Sequence, residues 1–154
     1  MKVRLSMQLA LLMLGMVTSA SAAELPAQKP GLWQMTVKGS QMPGGARTYQ
    51  MCQDAALLAK AKASAESHLK HDCTTTSSVR KIGDTWVSYA DCKMSGMHIV
   101  SHTVTTVHGD DQYHSEITST MDSPGGKKTS KTTVDNKRLG ACKPGQKVGV
   151  PTGG

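Results

Sequence analysis

A chain of 154 residues carrying 18 basic and 11 acidic side chains, net +7, has room for one domain. It contains no phenylalanine, two tryptophans and three tyrosines, so any core must rely on aliphatic and methionine side chains. Its basic groups (Lys127, Lys128 and Lys131; Lys137 and Arg138; Arg80 and Lys81) have no aromatic residues interleaved. That pattern excludes a stacking platform for nucleic acid and reads as a solvated surface.

Residues 1–22 read as an export signal. Lys2 and Arg4 form a positive lead, Leu5 to Val17 is almost wholly apolar, and Ala20 and Ala22 have the A-x-A spacing of a cleavage site. The apolar run of about 13 residues is shorter than the ~20 needed to cross a bilayer. Cleavage after Ala22 removes two basic residues and leaves a net charge of +5. No transmembrane segment is expected afterwards. The first cysteine is Cys52, far from the cleavage region, which argues against a lipid anchor.

The expected domain spans residues 23–143, with 144–154 as a flexible tail on the strength of its Gly, Pro and Lys content. After Pro30 and Gly31, the residues Trp33, Met35 and Val37 alternate with polar ones, which predicts a half-buried strand. Gly39 to Gly45 is a turn by composition, and a second strand follows over Arg47 to Cys52. Asp54 is a candidate N-cap for a helix over 55–69, with Leu57, Leu58, Ala61, Ala65 and Leu69 on one face. This helix is expected to be amphipathic and to close over one face or end of the sheet.

Beyond Cys73 the sequence predicts a meander. Strands are expected over 74–80, 85–92, 98–107, 112–121 and 128–134, separated by turn-forming runs. On the fourth of these, Tyr113, Ile117 and Met121 face one way, and His114, Glu116, Thr118 and Thr120 the other. About seven strands, one helix and no helical crossovers predict a mainly β fold, a twisted antiparallel sheet or small barrel.

Four cysteines behind an export signal read as two disulfides, for which sequence alone allows three pairings. A four-residue turn over Lys81 to Asp84 would place Arg80 opposite Thr85 and Cys73 opposite Cys92. Cys52 would then pair with Cys142.

Candidates for chemistry are few. His68 and His71 share a helical face, and Met94, Met97 and His98 combine thioether and imidazole ligands suited to copper(I). His98 and His102 lie four strand residues apart, about 13 Å, too far to share an ion. No G-x-S-x-G elbow, H-E-x-x-H pair or glycine-rich phosphate loop is present, so neither an enzyme nor a cofactor is expected.

In order along the chain stand Pro30 to Val37, a Met42–Pro43–Gly44 loop, Tyr49 to Cys52, Cys73, Trp86, Cys92 and Arg138 to Cys142. This set resembles the bacterial periplasmic proteins grouped as domain of unknown function 3617. The resemblance covers nearly all of the chain from residue 23 to Lys143. It implies a secreted or periplasmic domain and carries over no catalytic residues. The Ala-rich helix and the six histidines depart from the family pattern. The resulting expectation is a non-catalytic envelope protein that is structural or binds a protein or small ligand in the sheet's concavity. The alternatives are a copper handler and an inhibitor of a secreted hydrolase. For the second, a net charge of +5 argues against basic lysozymes as targets.

Overall fold

The structure is a computed structural model, and it describes residues 26–40, 42–73, 75–94 and 96–153. The export signal lies outside the described residues.

Seven strands form one open antiparallel sheet: β1 (Gly31–Gly39), β2 (Ala46–Gln53), β3 (Thr75–Ile82), β4 (Thr85–Met94), β5 (Met97–His108), β6 (Gln112–Ser123) and β7 (Gly126–Gly140). The spatial order is β2-β1-β7-β6-β5-β4-β3, so the last strand of the meander returns to pair with the first strand of the chain. Of the two architectures compatible with the sequence, the open sheet is the one formed. Its edges are β2 and β3.

Helix α1 (Ala55–Asp72) joins those edges. Eighteen residues span about 27 Å, close to the ~29 Å width of six strand spacings. Asp54 caps its start, accepting a hydrogen bond from the Leu57 amide at 2.7 Å. Of the expectation that the helix closes over one face or one end of the sheet, packing along its length over a face does not occur. Leu57 and Leu58 are half-buried, but residues 59–67 are all exposed, Ala61 and Ala65 included. The reason lies in composition: an alanine face offers little apolar area to bury. The helix is held instead at its ends, by Cys52 two residues before the cap and by Cys73 as its C-cap.

Both disulfides form as expected, Cys52–Cys142 and Cys73–Cys92. The register that suggested the second one does not. Gly83 adopts φ 59°, a left-handed conformation glycine accepts freely, so the β3–β4 turn contains two residues instead of four. Ile82 therefore faces Thr85, and Arg80 faces Val87. A register shift between Thr75 and Ser78 brings the chain back toward the alignment in which Cys73 meets Cys92.

The segment after Cys142, expected to be a flexible tail, is paired to the outer side of β2. Gln50 and Thr152 exchange two backbone hydrogen bonds of 2.8 Å, and Gly149 donates to the Cys52 carbonyl at 2.9 Å. Composition gave no sign of this, because backbone pairing at an edge needs no particular side chains.

Among the described residues the buried apolar set is small: Leu32, Trp33, Cys52, Trp86 and Tyr113. The six ladders and the two disulfides therefore carry much of the organisation. At one end, residues 27–30 are strapped across the aromatic core. The Trp33 indole donates to the Lys29 carbonyl at 2.9 Å, Tyr113 Oη to that of Ala27 at 3.1 Å, and Arg138 Nε to that of Pro30 at 2.9 Å.

Candidate functional site: two faces of unlike chemistry

Because partners in an antiparallel register point to the same side, the six ladders sort the strand residues onto two faces. One face carries Trp33, Met35, Met51, Trp86, Ile99, Ile117, Tyr113 and Met121. The other carries all four strand histidines, His98, His102, His108 and His114, and all four strand carboxylates, Asp91, Glu116, Asp122 and Asp135. We call these the aromatic face and the histidine face. The alternation expected for the strand containing Tyr113 is the one observed.

Burial grades along the aromatic face. Trp33, Tyr113 and Trp86 are buried at the strapped end, with Lys81 Nζ 4.7 Å above the Trp86 ring. Around them Met35, Val37 and Val134 are half-buried, as are Ile117 and Ile99 further along the strands, and Met121, opposite Ile99, is 37% exposed. Met35 and Met51 are thus only partly covered, and Met121 is at the surface.

A cavity of about 320 Å3 lies on the open half. It is lined by Ile99, Ser119, Met121, Lys128, Ser130 and Thr132 of the sheet and by Met42 of the β1–β2 loop. Met42 lies down over Gly39, where a Cβ would sit 3.2 Å from its Cγ. A second space of about 420 Å3 lies at the turn end, between Lys93, Met97, His98 and Asp122. It is rimmed by charges of both signs.

The histidine face holds two close pairs. His98 Nε2 lies 2.6 Å from Asp91 Oδ1. His114 Nδ1 lies 2.6 Å from Asp135 Oδ1, and its Nε2 is 3.6 Å from Glu116. The hydrogen bond to Asp135 is the main reason the His114 imidazolium is favoured and its pKa raised, with Glu116 adding to it. Both ring nitrogens are thereby engaged by carboxylates.

Of the copper candidates, the described residues do not converge. Met97 and His98 are successive strand residues and stand on opposite faces, and His98 is occupied by Asp91. His71 is exposed on the helix. The side chains of His68 and Met94 lie outside the described residues. Among the described residues, no three His, Cys, Asp or Glu side chains gather as a metal site.

Sequence reasoning missed the lead-in strap and the confinement of the strand carboxylates to one face. The second was encoded in residue parity, but only once every register is known does parity on seven strands become a single surface.

Fold and surface together define a class: an open, disulfide-stapled antiparallel sheet with one apolar face, half of it uncovered. The model of the family described as "Protein of unknown function (DUF3617)" matches residues 28–142. The chain belongs to that family. No curated protein and no solved structure matches it.

Proposed function

We propose that this chain is an exported, non-catalytic binding protein of the cell envelope that holds a small apolar ligand on the open half of its aromatic face. The observation that carries this reading is the cavity lined by Met42, Ile99 and Met121 on a face whose apolar residues are only half covered. Export is supported by the signal-like residues 1–22 and by two disulfides, which persist in oxidising compartments. None of the described helices is long and apolar enough to cross a membrane. The non-catalytic part of the reading rests on the sequence, which carries no nucleophile elbow, metalloprotease pair or phosphate-loop motif.

The test is mass spectrometry of the chain expressed with its own leader in a Gram-negative host and recovered from the periplasm. Under denaturing conditions the expected mass is that of residues 23–154 less four hydrogens. Under native conditions an additional small-molecule mass is expected, lost on extraction with organic solvent. Retention of residues 1–22, or a bare native mass that no hydrophobic probe can shift, contradicts the reading.

A further inference from the structure

Resting on that reading, we infer that the open half of the aromatic face is selective for a single-chain anionic amphiphile. Its alkyl chain lies against Met42, Ile99 and Met121, and its acidic head meets Lys128. The inference comes from the way the sheet distributes charge. No strand position on the aromatic face is acidic, whereas Arg47, Lys81, Lys128 and Arg138 are all basic. Every strand carboxylate is on the opposite side. A face that needed only to shed water from an apolar surface would have no reason to exclude one sign of charge.

The four cations are not equivalent. Arg138 is committed to the Pro30 carbonyl and lies 3.8 Å from Asp111, and Lys81 is placed over Trp86. Arg47 is exposed at the edge, near the start of β2. Lys128 alone both lines the cavity and is exposed, and among the described residues no carboxylate pairs with it. An ammonium beside Ile99 and Met121 presents an apolar wall and a charge within one small space. That pairing matches an alkyl chain with a carboxylate, sulfate or phosphate head.

Size favours one chain. At about 320 Å3 the cavity is at the small end of the ~300–1,000 Å3 range of ligand pockets. Ser119, Ser130 and Thr132 line the cavity with Lys128, and their hydroxyls are donors suited to the head group.

The experiment follows the fluorescence of N-phenyl-1-naphthylamine, an uncharged probe, and its displacement from the mature protein. Competitors are dodecanoate, dodecanol and dodecyltrimethylammonium below their micellar concentrations. Probe binding reads the apolar site itself, so its absence contradicts the proposed function. Selectivity reads the present inference. Dodecanoate is expected to displace the probe at lower concentration than either of the other two. Lys128→Glu is expected to weaken dodecanoate roughly tenfold while leaving dodecanol within about twofold, and Lys128→Gln to fall between. Lys131→Glu makes the same charge change three residues along β7 on the histidine face, and is expected to shift dodecanoate by no more than about twofold. Equal loss in Lys128→Glu and Lys131→Glu, or equal affinity for all three competitors, overturns the inference. So does dodecanoate failing to compete while phosphatidylglycerol vesicles do, since the occupant would then be a membrane surface.

Discussion

The Trp33 and Tyr113 rings meet with centroids 5.4 Å apart and planes tilted by 42°, and each also grips the lead-in segment through its polar atom. Trp33 lies on β1 and Tyr113 on β6, with β7 between them. The contact thus bridges two strands that are not neighbours and closes one end of the aromatic face. Burial raises the Tyr113 pKa first, and the nearby Asp110 and Asp111 charges raise it further.

Removing the Trp33 side chain should be among the most damaging single changes in this molecule. It is 1% exposed, and Trp33→Ala is expected to cost about 3–5 kcal/mol through lost burial and an unfilled cavity. Tyr113→Phe keeps the ring and loses only the bond to Ala27, so about 1 kcal/mol is expected. Urea unfolding of both variants, followed by tryptophan fluorescence or by circular dichroism, checks the ordering. A larger loss in Tyr113→Phe would show that the strap, more than the ring contact, holds this end.

The two disulfides should differ in weight. Cys52 and Cys142 are 90 residues apart, and Cys73 and Cys92 are 19 apart. In the chain-entropy model these contribute about 4.6 and 3 kcal/mol. The first also joins β2 to the chain leading into the paired C-terminal segment. Cys52→Ser/Cys142→Ser is therefore expected to melt at a lower temperature than Cys73→Ser/Cys92→Ser. Hydrogen exchange should show added loss of protection at Gly149 and Thr152 in the first variant only.

Gly31 is required by space as well as by conformation. Its φ of 150° is one that side-chain-bearing residues rarely adopt. A Cβ there would run into the Gly140 carbonyl oxygen and lie 2.7 Å from Arg138 Nε. Gly31→Ala must therefore open the β1–β7 junction where the register shifts at Leu32. A loss of roughly 1–3 kcal/mol is expected, measurable by denaturant unfolding. Gly44→Ala supplies the comparison, with positive φ but nothing within 4 Å of its Cβ. It should cost less.

Much of this architecture could be read from the chain because its strongest signals are local. Alternation about Trp33, Met35 and Val37, and about Tyr113, Ile117 and Met121, assigns both strands and their faces. Asp54 and the alanine-rich run behind it locate the helix. The paired C-terminal segment and the strap at residues 27–30 depend on backbone carbonyls, which carry no residue signature. Whether an apolar face is covered also depends on what crosses it, and that is not a property of the strand. Hence Met121 shares the side of its strand with the buried Tyr113, as the alternation predicts, yet is at the surface in the fold. The Cys73–Cys92 bond was legible for a reason that only partly holds. The tight turn at Gly83 displaces the assumed register, and the shift near Thr75 compensates.

The His114–Asp135 contact gives stability a definite pH dependence. The Asp135 hydrogen bond raises the His114 pKa in the folded protein above its ordinary value of 6.5, and Glu116 acts in the same direction against a partial loss to desolvation. The folded state therefore binds the proton more tightly than the unfolded chain, and this contribution is fully present below about pH 6.5. It is lost as pH rises through the folded-state pKa. His114 is 38% exposed, so solvent screens the contact and the effect is small. Melting curves of the wild type and His114→Gln at pH 5.5 and pH 8.5 isolate it. The wild type should exceed the variant by more at pH 5.5 than at pH 8.5, and the excess should shrink in 1 M salt. Asp135→Asn should abolish most of the difference, because it removes the charge that holds the proton. A gap between wild type and variant that widens toward pH 8.5 would mean that neutral imidazole is the form the fold prefers, with Asp135 acting only as a hydrogen-bond acceptor.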